Sequence, residues 1–319
     1  MPLPHLVLGL LLLGFSATRA GIAFGQDYPL KPLRIVTAPV GGSTDFLSRL
    51  IAQNISVPLG QQVIVDNRPV ILLGETVARA QPDGYTLVLV SDSHWVRALI
   101  QKQSYDPVRD FAPISTVTLQ PNMLVIHPSL PVRSVKELIA LAKAKPAELN
   151  YATGSVGSAT HLAAELFKSM AGISLTRIPY SGVGPALTAL ISGELQLIFS
   201  VTGGTLPHVK SGRLKALAVT TAKPSALVPG LPTIAASGLP DYEAVAINAV
   251  FAPAKTPAAI VARLNQEIVR AIHLPEVKEK LFNAGVEGVG SSPEQLAATI
   301  RSEMTRLGKV IREAGIKGE

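Results

Sequence analysis

Short apolar runs alternate along this chain with amphipathic stretches, and turn-forming residues separate them. Leu33–Ala38 reads as a strand, Val40–Asp45 as a Gly/Ser/Thr turn and Phe46–Ile55 as an amphipathic helix. Gln62–Val65 reads as a second strand, and Gly74–Ala80 as a helix stopped by Gln81-Pro82-Asp83-Gly84. Thr86–Val90 is apolar almost throughout, as suits a parallel strand covered on both faces. Met123–Ile126 predicts another strand, and Ser134-Val135-Lys136-Glu137 is a capping box opening a helix to about Lys143. The rhythm then repeats: strand Leu149–Thr153, turn Gly154–Thr160, helix His161–Met170. Thr176–Ile178 leads through Tyr180–Gly184 into a helix with Pro185 in its first turn. Strand Leu195–Ser200, turn Val201–Gly204, a short helix Thr205–Lys210 and strand Leu214–Val219 follow.

Two consecutive alternating sections with parallel-type strands predict an α/β architecture in two lobes. The chain is expected to cross between lobes near Leu119-Gln120-Pro121-Asn122 and again near Glu243–Val250. That places the first lobe at residues 26–121 and 250–319 and the second at 122–249. After Ala252–Pro257 the pattern is helical. Its last helix is opened by the capping box Ser292-Pro293-Glu294-Gln295 and runs to about Ala314. These helices have no sheet of their own and are expected to cover the first lobe.

Leu6–Phe15 is an apolar run followed by the small residues Ser16, Ala17, Thr18 and Ala20, the pattern of a secretory signal over about residues 1–25. The run is about half a bilayer span, too short for a membrane anchor. The mature protein is therefore expected to be exported and soluble, and it is expected to be a monomer. Among the 319 residues there is no cysteine, which excludes disulfides, thiolate nucleophiles, Cys-ligated zinc, iron–sulfur clusters and a lipidated cysteine tether. The net charge of +7 permits an acidic partner. The basic residues are dispersed, however, and aromatics make up only 5%, so neither the stripe nor the stacking platform of a nucleic-acid binder is present.

One junction recurs: apolar strand, Gly/Ser/Thr turn, helix start. It occurs at Gly41–Asp45, Gly154–Thr160, Ser181–Pro185 and Thr202–Thr205. Free N–H groups and the positive helix end make such junctions anion sites, and ligands of parallel sheets sit outside the strand ends where these turns lie. A cleft between the lobes that binds an anion is expected. Catalytic motifs are missing: Gly182-Val183-Gly184-Pro185-Ala186 is no dinucleotide fingerprint, and no Walker lysine, G-x-S-x-G elbow or H-E-x-x-H pair occurs. The six histidines never fall at metal-ligand spacing, and no cofactor is expected. The enzyme alternative is a hydrolase or lyase in the same cleft, with Ser158 and His161, or Asp45, as reactive groups. Asp83, Asp106 and Asp110 read as turn caps. Trp95, after Ser91-Asp92-Ser93-His94, reads either as cleft lining or as packing.

Over almost its whole length the chain also resembles a known family, the periplasmic solute-binding proteins of tripartite tricarboxylate transporters, or Bug proteins. The landmarks are Gly41-Gly42-Ser43-Thr44-Asp45, Asp66-Asn67-Arg68-Pro69, Pro82-Asp83-Gly84-Tyr85-Thr86-Leu87, Tyr105-Asp106-Pro107, Asp110-Phe111-Ala112-Pro113, Asn150-Tyr151-Ala152, Pro179-Tyr180-Ser181-Gly182 and Ala252–Pro257. The resemblance implies a Venus-flytrap protein that closes on a small organic carboxylate and delivers it to integral-membrane transporter subunits. A cognate sensor protein is another recipient, and a scaffold without a transport role is the remaining alternative. Carried onto this sequence, the ligand loops are Pro39, Gly41, Gly42, Ser43, Thr44 and Asp45 in the first lobe. In the second they are Thr153, Gly154, Ser155, Gly157, Ser158 and Thr160, with Tyr180 and Ser181 as further contributors.

The chain departs from the family at four places. Val70-Ile71-Leu72-Leu73-Gly74 replaces a glycine-rich turn, Ser181 replaces a lysine, Ile247-Asn248-Ala249 lacks an expected aromatic, and Pro39-Val40 stands where two prolines are common. The added apolar residues point to a bulkier or aromatic carboxylate.

Overall fold

The computed structural model describes residues 28–153, 157–180 and 183–317. The expected signal segment, and Gly154, Ser155 and Ser181 of the expected site, lie outside the described residues. In chain order the first elements are β1 (Leu33–Thr37), α1 (Ser43–Leu59), β2 (Val63–Asn67), α2 (Val70–Ala78), β3 (Thr86–Ser91), α3 (Ser93–Ile100) and the long strand β4 (Phe111–Ile126). There follow α4 (Val135–Ala144), β5 (Asn150–Ala152), α5 (Ala159–Ala171), β6 (Thr176–Arg177), α6 (Val183–Ile191), β7 (Leu197–Val201), α7 (Thr202–Lys210) and β8 (Lys215–Val219). The chain closes with β9 (Val245–Pro253), α8 (Ala258–Ile272), α9 (Pro275–Asn283), β10 (Glu287–Gly288) and α10 (Pro293–Glu313).

The strands form two sets that share β4. In the first, β1 is flanked by β2 and β3 in parallel, β3 pairs antiparallel with β9, and β9 with β4. In the second, β4 pairs antiparallel with β7 and β8, β7 runs parallel to β5, and β5 to β6. The handover lies within β4: Pro121 is opposite Val245 of the first set, and Asn122 is opposite Val201 of the second. Asn122 is fully buried at this point. Its backbone N–H donates to Thr220 Oγ1 (2.9 Å) and its Nδ2 to the Ala244 carbonyl (3.4 Å).

Alternate residues of each central strand enter cores on opposite faces. Leu87 and Leu89 of β3 pack with α1, α8 and α9, whereas Val88 and Val90 pack with α2, α3 and α10. In the second set Leu197 and Phe199 face one core and Ile198 the other. Burying each such side chain contributes about 1.5–3 kcal/mol, which is why the apolar runs are strands covered on both faces.

Several boundaries differ from the sequence reading. Helix α1 starts earlier, at Ser43, and ends at Gly60 (φ 66°), whose N–H closes on the Ser56 and Val57 carbonyls. Helix α2 begins at Val70, because Val70–Leu73 continues the helical period and Pro69 suits the position just before it. The terminal helices do not all stay on the first set. Leu296, Ile300, Leu307 and Ile311 of α10 pack there, but Val310 enters the second set's core and Glu313 accepts from Ser169 of α5 (3.1 Å). Trp95 is packing rather than cleft lining: it is fully buried against Phe251, and its Nε1–H donates to Glu303 (3.1 Å).

Candidate functional site

The β1–α1 loop turns on Gly41, whose φ of 90° suits glycine. Its N–H donates to Asp45 Oδ2 (3.0 Å). The other carboxylate oxygen accepts from Asn67 Nδ2 (2.9 Å) and pairs with Arg49 (3.0 Å). Those bonds, Asn67 and the Gly41 amide first, hold the Asp45 carboxyl below its ordinary range. Asp45 is thus buried and fully engaged in bracing its own loop. Gly41, Gly42 and Ser43 stay exposed, as does Pro39. No side chain caps α1 at Gly42, so the amides of its first turn are left without a capping acceptor.

The β5–α5 loop repeats this construction. Gly157 has φ 75°, and its N–H donates to Nδ1 of His161, four residues on (3.0 Å). Nδ1 is therefore the unprotonated ring nitrogen, and Nε2–H is directed toward Glu165 at 3.8 Å. Burial, reinforced by Arg177, lowers the His161 pKa to about 4 and keeps the ring neutral. Glu165 in turn accepts from Lys168 (2.8 Å) and from the Tyr151 hydroxyl. Ser158 is the N-cap of α5, accepting from the His161 N–H (3.4 Å), and its Oγ lies 3.2 Å from Thr160 Oγ1. Thr153, directly after β5, is buried, and Tyr180 packs half-buried against the Met123/Ile198 core.

A third helix start joins the two loops. Ser91 and Ser93, hydrogen-bonded to each other at 2.8 Å, flank Asp92 at the beginning of α3. They border a cavity of about 430 Å³ whose far wall is Gly157, Ser158 and Thr160, and one of about 250 Å³ whose far wall is Gly42, Ser43 and Thr44. The larger cavity also touches Gln120 and Ala246, where the chain crosses between sets. Of the four sequence-identified junctions, Gly41–Asp45 and the described part of Gly154–Thr160 open onto these two adjoining cavities. Val183 and Val201, at the other two, reach the edge of the larger cavity, whereas Thr202 turns away to donate to the Gly285 carbonyl (3.3 Å). Sequence reading missed the α3 start because Ser91–His94 continues a strand without a glycine. The two serines around Asp92 were its visible signal.

Asp92 faces the larger cavity, and its pKa is pushed up to about 7 by burial and by the nearby Glu303 carboxylate. A carboxyl held partly protonated opposes an anion less than an ordinary aspartate would. The geometry also disposes of the nucleophile–base pair. The Ser158 hydroxyl meets the His161 backbone, while both ring nitrogens of His161 face elsewhere. Among the described residues no group of His, Asp and Glu is placed to hold a metal ion.

The model of the tripartite tricarboxylate transporter family receptor matches residues 47–316. This chain belongs to that family. It is 35% identical to the protein BugT of Bordetella pertussis over 97% of this chain and 98% of that one. Among solved structures, a protein of R. palustris solved with adipate is 36% identical, with a TM-score of 0.72 over 91% of this chain and 99% of that one. MatC from Rhodopseudomonas palustris, solved with bound malate, is 29% identical, with a TM-score of 0.68 over 89% and 100%. The family receptor is a periplasmic solute-binding protein, not an enzyme, and its two-lobed α/β fold is the fold described above.

Proposed function

We propose that this receptor binds a small organic carboxylate in the cleft between its two strand sets and delivers it to integral-membrane subunits of a tripartite transporter. The observation that carries this reading is the convergence of three helix starts, α1, α3 and α5, on adjoining cavities that span both sets. Open first-turn amides, the hydroxyls of Ser43, Ser91, Ser93 and Ser158, and the positive helix ends all favour a carboxylate there. The relatives solved with adipate and malate support the same ligand class. The lobes are residues 26–121 with 245–319, and 122–244. The boundary expected at residue 249 moves to residue 244, because β9 pairs with β3 and β4 of the first set from Val245 on. The lobes close by bending where the chain crosses near Asn122 and Ala244. The protein works as a monomer and is exported through its N-terminal segment.

Native mass spectrometry of protein purified from the periplasm tests this reading. The expected spectrum shows a mass lacking roughly the first 20–26 residues. It also shows one small acid per chain, retained or taken up from a carboxylate panel without being consumed. Intact Met1, turnover of the acid, or no uptake from the panel would contradict the proposal.

A further inference from the structure

Glu165 lies on α5, one turn beyond His161, with 7% of its surface exposed. A carboxylate so placed carries a desolvation cost that an apolar side chain avoids. Its cation is Lys168, whose Nζ donates to both carboxylate oxygens (2.9 and 2.8 Å). A buried ion pair adds little stability beyond what well-packed apolar residues of the same volume give, which leaves orientation as the property Glu165 supplies.

Two further groups converge on it from either side of the α5 loop. The Tyr151 hydroxyl donates to Oε1, tying β5, the strand before the loop, to α5, the helix after it. The His161 ring presents Nε2 to the same oxygen at 3.8 Å. That is longer than a hydrogen bond, but a negative oxygen at this distance favours a proton on Nε2. The other ring nitrogen, Nδ1, then accepts the Gly157 N–H (3.0 Å). Burial, with Arg177 of β6 and Lys168, keeps the ring neutral. The comparison with the first loop shows why a second residue is needed. The Asp45 carboxylate accepts from Gly41 whatever surrounds it, whereas a neutral imidazole accepts at Nδ1 in one of its two tautomers.

We propose that Glu165 is a positioning residue for ligand binding: it holds His161 in the tautomer and orientation that tie down Gly157, and so preforms the loop whose Ser158 lines the larger cavity. The inference rests on the carboxylate reading above. With an apolar side chain at 165, Nε2–H faces no acceptor there, which favours turning the ring or moving its proton to Nδ1. Either change breaks the Gly157 bond. The binding-competent fraction of the loop falls, and apparent affinity falls by the same factor.

Glu165→Leu, Glu165→Gln and Phe167→Leu, made in the mature protein, test the assignment; the last loosens α5 against Phe199 instead. Nitrogen NMR shifts of the ring, identified by their loss in His161→Asn, should show Nδ1 unprotonated and hydrogen-bonded in the parent. Glu165→Leu should lose that signature, and its Gly157 amide should exchange about 10-fold faster. The probe acids are adipate, malate and benzoate. The one the parent binds most tightly should bind Glu165→Leu about 5- to 10-fold more weakly, chiefly through slower association. Glu165→Gln, which keeps an oxygen beside Nε2, should stay within about threefold of the parent. Phe167→Leu should melt lower and keep the parent's ring signature. If Glu165→Leu does not fold, its combination with Lys168→Met, which leaves no unpaired charge, takes its place. A parent-like ring signature or affinity in the folded variant, or the same ring change in Phe167→Leu, overturns the role of Glu165 and leaves the carboxylate reading standing. Failure of the parent to bind any of the three acids overturns the carboxylate reading, and the ring signature and Gly157 exchange then still decide whether Glu165 sets the loop.

Discussion

Asp45 and His161 show how two unlike side chains solve one local problem. Each sits four residues after a glycine of positive φ, in the first turn of a helix, and holds that glycine's N–H at 3.0 Å. The carboxylate and the neutral imidazole are thereby turned into loop braces. In the sequence both residues stood out as chemistry-bearing groups. Their bracing role was not legible, because it depends on how the loop folds back. Gly74 makes a different residue-level demand. A Cβ at that position would lie 2.2 Å from the Tyr105 ring, which is held by its stack on His94 and by its hydroxyl donating to the His94 carbonyl (3.2 Å). Gly74→Ala should destabilise the protein by about 1–3 kcal/mol through overpacking, and a thermal melt should fall by a few degrees. An unchanged melting temperature would mean that the Tyr105–His94 stack is not rigid.

At the scale of elements, the helix starts were the most legible part of the site, and their caps explain which of them stay open. Ser134 and Ser292 cap their helices, as the capping-box patterns predicted. Asp83 and Asp106 accept backbone N–H groups in their turns, and Asp110 accepts from the Asp106 N–H. The length of α2 and the presence of α3 were less legible. The apolar run Val70–Leu73 carries a helical period too short to separate from a loop, and α3 lacks a glycine or proline before it. Helix α5 carries one share of the pH dependence, opposed by Asp92, whose raised pKa makes the folded chain take up a proton as pH falls through about 7. Burial depresses the pKa of His161, and that of His94 on α3, below the ordinary histidine value. Between pH 6.5 and about 4 the unfolded chain therefore binds protons that the folded chain refuses. The stability contributed by these neutral rings is complete above pH 6.5 and is lost as pH falls through that window. For His161 the loss is on the order of 2–3 kcal/mol. His161→Asn keeps an acceptor for the Gly157 N–H but cannot titrate. Denaturant titrations from pH 7 to pH 4 should show the parent losing stability more steeply than this variant. Parallel pH dependences would contradict the assigned tautomer and burial.

For the whole molecule, the arrangement that matters is a shared strand. β4 belongs to both sets, and β9 follows it back across the first, so the two helix-start loops are carried on bodies joined by narrow crossings. The alternation of strands and helices made the two-lobed fold readable. The place of α10 was not, because Val310 and Glu313 on one helix serve a different set from Leu296 and Ile300. The central claim is that one carboxylate is held jointly by the loop starting α1 and the loop starting α5. Calorimetry with a carboxylate that the parent binds, comparing Ser158→Asp and Ser158→Ala with the parent, tests it most directly. Aspartate keeps the capping role of Ser158, so folding should persist. It also places a negative charge about 4 Å from the ligand's own, a repulsion of roughly 4 kcal/mol at an effective dielectric near 20. Ser158→Asp should therefore lose affinity on the order of 100-fold, and Ser158→Ala only the equivalent of one hydrogen bond, about 0.5–3 kcal/mol. If Ser158→Asp is folded and binds as tightly as the parent, the α5 loop does not hold the carboxylate and the joint site is wrong.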